Sequence, residues 1–140
     1  MISNTYANKV LNLICGITDG LSLPSKLYLG LSSSAPDSST GEVTGEPTAN
    51  SYARVVVGGS TAESKKFGNA AGGVIKNAAE IQFLTAREAW GEMTYFFLSE
   101  SPTGNAILWG EIPNGITVQA ETVPVLYEND LQISLDVPLS

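Results

Sequence analysis

The sequence predicts a mainly β protein, an antiparallel β-sandwich or barrel carrying one N-terminal α-helix. Three observations lead there. Apolar residues recur with a period near 3.6 only before residue 20, they alternate with period two from Lys26 onward, and turn chemistry punctuates the second half at short intervals. The 140 residues fit one domain, 1–140, which at that size hides roughly 68–70% of its extended surface.

The helix is expected within residues 1–20. Tyr6, Val10, Leu13, Ile14 and Ile17 lie on one stripe, Ser3 or Asn4 is the N-cap, Asp19-Gly20 supplies the stop, and Pro24 prevents continuation. Leu27, Leu29 and Leu31 then form a short strand. Residues 32–50 are a long polar loop rich in Ser, Thr, Gly and Pro, a length that marks a functional loop, an arm, or a segment ordered by a partner. Strands follow at Tyr52–Val57 and Ala78–Leu84, separated by a Gly-rich connection over Lys65–Gly73. Five more runs read as strands: Met93–Ser99, Ala106–Glu111, Ile116–Gln119, Val123–Tyr127 and Leu131–Val137. Turns are expected at Pro102-Thr103-Gly104-Asn105, Pro113-Asn114-Gly115 and Glu128-Asn129-Asp130.

Composition narrows the function. Only 15% of residues are charged, and histidine is absent. That removes the Ser-His and Cys-His nucleophile pairs, and with Cys15 alone it removes Cys/His zinc sites and an intrachain disulfide. No cofactor and no enzymatic activity are expected. The opening MISNTYANKV lacks the basic start and apolar region of a signal peptide, and no apolar run approaches a membrane span, so a soluble chain made in the cytoplasm is expected.

Charge is unevenly placed. Residues 1–87 hold all seven basic side chains against six acidic ones, net +1, whereas residues 88–140 hold eight acidic residues and no Lys or Arg, net −8. Nucleic acid is an unsuitable partner for such a chain, because phosphate binding needs clustered Lys and Arg.

Four groups of residues invite a chemical reading. Asp37, Glu42 and Glu46 supply oxygen donors for calcium, but their spacing is not that of an EF-hand and solvated loop charges are the better reading; the same holds for Glu128 and Asp130. Paired carboxylates for glycoside hydrolysis have no support, since the acids after Glu88 are scattered one per strand or turn. Trp90, Tyr95, Phe96, Phe97 and Trp109 form either core or a sugar-stacking platform; core is favoured, with Trp90, Phe96 and Trp109 as its candidates. Arg54, the single charge in its strand, either faces solvent or pairs with a carboxylate, Glu42 or Glu46.

The order of motifs resembles a family of small bacteriophage virion proteins, tail-fibre-like or virion-decorating. In the first half it is carried by Leu27-Tyr28-Leu29-Gly30-Leu31-Ser32, Ala35-Pro36-Asp37, Gly41-Glu42-Val43 and Ser51-Tyr52-Ala53-Arg54. In the second it is carried by Asn77-Ala78-Ala79-Glu80-Ile81-Gln82-Phe83, Ala89-Trp90-Gly91, Gly104–Gly110 and Leu131–Leu135. The resemblance implies a non-enzymatic virion component that self-associates and docks onto other virion proteins, synthesised in the host cytoplasm. It carries over no catalytic residue. The expected interface is Tyr6, Val10, Leu13, Ile14 and Ile17, buried between copies of a homo-oligomer or, equally, against the chain's own sheet. A carbohydrate-binding sandwich that holds a host-surface glycan is the alternative reading.

Overall fold

The computed structural model describes residues 1–17, 24–63 and 65–135. Among these residues, one helix and eight strands follow in order: α1 (Asn4–Ile14), β1 (Leu27–Ser32), β2 (Val55–Gly58), β3 (Val74–Lys76), β4 (Ile81–Gln82), β5 (Gly91–Ser99), β6 (Ala106–Val118), β7 (Val125–Leu126) and β8 (Gln132–Ser134). All pairings are antiparallel. The main sheet has the order β2-β1-β5-β6, and the two-stranded pairs β3-β8 and β4-β7 supply a second layer; the sheet does not close into a barrel. The sandwich reading therefore holds.

The alternation of side chains across the main sheet sorts its apolar residues onto two faces. Leu29 and Leu31 of β1, and Phe96 and Leu98 of β5, join Ile81, Leu126, Leu131 and Ile133 of the second layer in the principal core. Phe97, Ala106 and Trp109 face the other way, where Val43 of the long loop and Tyr95 pack against them. Both faces are thus covered. Each of two phenylalanine rings lies over a glycine of the adjacent strand: Phe97 over Gly30 of β1, and Phe96 over Gly110 of β6, where an added Cβ would sit 2.8 Å from the ring.

Several boundaries differ from the sequence reading. Pro113-Asn114-Gly115 does not end a strand. β6 runs through it as a wide bulge, with residues 112–115 lying opposite Thr94 alone and Asn114 and Gly115 at φ 63° and 66°. β4 and β7 shrink to two residues each, and an unforeseen strand, β3, follows directly on the Gly-rich connection. The end of the last predicted strand, beyond Leu135, lies outside the described residues.

The long loop lies against its own sheet, with Val43 packed on the second cluster. It is tied down by its own chain: the Ser33 and Asp37 amides donate to the Gly45 and Glu42 carbonyls, and the Ala106 amide donates to the Gly41 carbonyl. Asn77, fully buried, pins the second layer. Its Nδ2 donates to the Ala79 and Tyr127 carbonyls at 3.0 and 2.8 Å, and its Oδ1 accepts from the Leu131 amide at 3.0 Å.

Candidate functional site

The first three residues are an edge strand in miniature. Ile2 bridges Leu108, the Trp109 amide donates to the Met1 carbonyl, and the Met1 ammonium donates to the Trp109 carbonyl at 2.7 Å. This covers part of the open edge of β6 and sets the direction in which α1 leaves. Ser3 is the N-cap, its Oγ accepting from the Tyr6 amide at 3.3 Å. The helix stops at Gly16, at φ 78°, rather than at Gly20; the predicted Asp19-Gly20 stop lies outside the described residues. Ile17 therefore sits just past the helix.

No residue of α1 is buried. Tyr6 and Val10, at the anchored end of the stripe, are half-buried, whereas Leu13, Ile14 and Ile17 are 60%, 74% and 57% exposed. Leu11, off the predicted stripe, is 59% exposed and widens the apolar surface. The Tyr6 hydroxyl reaches Glu100 at 3.4 Å; burial first, and that carboxylate second, hold its pKa above the ordinary tyrosine value. An isolated helix of eleven residues is only marginally stable in water, so α1 depends on its anchored first turn. The stripe does not pack on the chain's own sheet.

The other candidates resolve differently. Arg54 pairs with Glu46, not Glu42: Nε lies 2.8 Å from Oε2 and Nη2 lies 2.9 Å from Oε1, while Glu42 is exposed. Nη1 also donates to Ser99 Oγ and to the Ser101 and Gly104 carbonyls. The Tyr52 hydroxyl donates to Glu46 and accepts from the Leu31 amide at 3.1 Å. Sequence reasoning missed Tyr52, whose only signal is its place two residues before Arg54.

Three of the five carboxylates weighed for calcium are spent on local structure. Asp37 accepts from the Ser39 and Thr40 amides and the Thr40 hydroxyl, which together hold its pKa below the usual carboxylate value. Glu46 is committed to Arg54 and Tyr52. Asp130 accepts from the Tyr127 amide at 2.8 Å and shapes the turn in which Asn129 takes φ 69°. Among the described residues, no group of three or more Cys, Asp or Glu side chains is placed to hold a metal ion. No described helix is long and apolar enough to cross a membrane.

Of the aromatic cluster, Trp90 and Phe96 lie in the principal core and Trp109 and Phe97 in the second one; none exceeds 7% exposure, and Tyr95 is partly covered. Trp90 meets Tyr52 and Phe83 edge-on at centroid distances of 5.1 and 6.2 Å. These rings present no open platform for a sugar.

The chain is thus a β scaffold with the long loop on one face, the two-stranded pairs on the other, and one helix whose apolar stripe is exposed. Comparison with protein families matches residues 1–134 to the family described as podophage GP4 fiber I protein gp80, and the chain belongs to that family. It is a phage virion structural protein of the fibre type. No curated protein matches it.

Proposed function

We propose that this chain acts in the phage particle as a non-catalytic building block, self-associating and docking to other virion proteins through the open face of α1. The observation that carries this reading is the apolar surface of Leu11, Leu13 and Ile14 on α1 and of Ile17 just past it, each more than half exposed. The near-neutral first half, which bears α1, favours contact there, whereas the acidic second half repels its own copy.

Mass spectrometry of purified particles tests the reading. The chain is expected in particles of the wild type and depleted from those of a phage carrying Leu13→Glu with Ile14→Glu. Its absence from wild-type particles would overturn the proposal.

One feature favours a second reading, a host-surface glycan. Tyr127 is 61% exposed at a cleft of about 580 Å³ between the bulge of β6 and the β7–β8 turn, where Gln132 and Asn129 add hydrogen-bonding groups. Glycan-array binding lost on Tyr127→Ala would establish that role, and an array without binding would remove it.

A further inference from the structure

The second face of the main sheet carries an apolar cleft of about 460 Å³ between the long loop and the β5–β6 edge, lined by Met1, Ala35, Pro36, Tyr95, Trp109 and Glu111. Trp109 and Pro36 form buried parts of its wall, and Ala35 and Glu111 are exposed at its margin. Although Met1 lines it, no residue of α1 does. The chain's own helix departs from beside the cleft and leaves it open.

We propose that α1 of one copy seats its apolar stripe in the Trp109 cleft of the next, so that copies join head to tail. This rests on the reading of α1 as a self-association surface and specifies what it meets. The occupant is chosen by three complementarities. The stripe is convex and aliphatic, whereas the cleft is concave, with aromatic, proline and methionine walls. The only charge on α1 is Lys9, which lies four residues before Leu13 and so flanks the stripe; the charged side chain at the cleft is Glu111, on its exposed margin, with the Tyr95 hydroxyl as hydrogen-bond partner at a long 3.4 Å, while the Met1 ammonium is turned to the Trp109 carbonyl.

Area is the third. Complete burial of one aliphatic side chain corresponds to about 60–120 Å² of apolar surface, so the exposed fractions of Leu11, Leu13, Ile14 and Ile17 leave roughly 150–300 Å² per copy. Two such stripes laid face to face fall well short of the ~800 Å² that each partner of a standard interface contributes. A concave seat covers both flanks of the helix as well as the stripe. Because stripe and cleft are different surfaces of one molecule, the contact is heterologous, and it propagates into a ring or a filament.

Mixing two variants tests this. The helix variant carries Leu13→Glu and Ile14→Glu; the cleft variant carries Ala35→Lys and Glu111→Lys. All four positions are exposed, and unchanged circular dichroism and cooperative unfolding confirm the fold of each. By light scattering, each variant alone is expected to be monomeric, and the equimolar mixture to form a one-to-one dimer, since each supplies the surface the other lacks. A cleft variant that keeps the wild-type mass overturns the head-to-tail contact while leaving α1 as an assembly surface. A monomeric wild type overturns both. As a check independent of folding, Lys9→Glu is expected to weaken association at least tenfold and Glu111→Lys in the same chain to restore it; absence of rescue contradicts the pairing.

Discussion

The Arg54 guanidinium is held between Glu46 and Phe97. It closes a two-pronged pair on the carboxylate at 2.8 and 2.9 Å, and its Cζ lies 4.7 Å above the Phe97 ring centroid, on a side chain only 4% exposed. Phe97 in turn lies over Gly30. The stack fastens the end of the long loop to the middle of the sheet. Glu46→Ala leaves that buried cation without its counter-charge and is expected to cost about 3–5 kcal/mol in chemical denaturation. A loss below about 1 kcal/mol would show that the loop is held by other contacts.

Tyr52 makes the same lock sensitive to alkaline pH. Burial first, then the hydrogen bond and charge of Glu46, push its hydroxyl far above the ordinary value of 10.0. Above pH 10 the unfolded chain releases this proton and the folded chain keeps it. The unfolded state then binds fewer protons, so stability falls as pH rises, by at most about 1.4 kcal/mol per pH unit from this group. Below pH 10 the contribution is fully present. Denaturation midpoints measured from pH 8 to 11 are expected to fall more steeply in the wild type than in Tyr52→Phe; equal slopes would show that Tyr52 ionisation does not drive alkaline unfolding.

Gly30 is required by proximity. An added Cβ would overlap the Phe97 ring and approach the Tyr52 hydroxyl to 2.8 Å, in a strand with no room to yield. Gly30→Ala is therefore expected to destabilise by about 1–3 kcal/mol. A neutral or stabilising result in thermal unfolding would mean that the ring moves aside freely.

Trp90 and Trp109 anchor different faces of the sheet. Truncating either to alanine is expected to cost about 3–5 kcal/mol, and because they belong to separate clusters their effects should add within about 0.5 kcal/mol in the double variant. A large coupling energy would contradict the two-core description.

The period-two pattern made the sandwich legible, and the 3.6 period made α1 legible, because both depend on side-chain spacing alone. Helix length was not: Gly16 and Gly20 both suit a left-handed stop, and the earlier one closes the helix once Cys15 and Gly16 donate to the Leu11 and Leu13 carbonyls. Asn114-Gly115 carries turn chemistry, yet the segments on either side pair with the same strand β5, so the chain bulges instead of turning back. Choosing between Glu42 and Glu46 for Arg54 depended on the path of the loop, and the Met1–Ser3 edge strand is too short to have a period. Of the proposed assembly surface, the stripe was readable and the Trp109 cleft was not, since it draws on three separate stretches of chain, at Met1, at 35–38 and at 95–111.

The most direct test is the mass in solution, by size exclusion with light scattering at tens of micromolar, of the wild type beside Leu13→Glu with Ile14→Glu. The expected result is a defined assembly for the wild type and a monomer of 14.7 kDa for the variant, with the fold unchanged. A monomeric wild type, or a variant that assembles as the wild type does, would contradict the role of the α1 face.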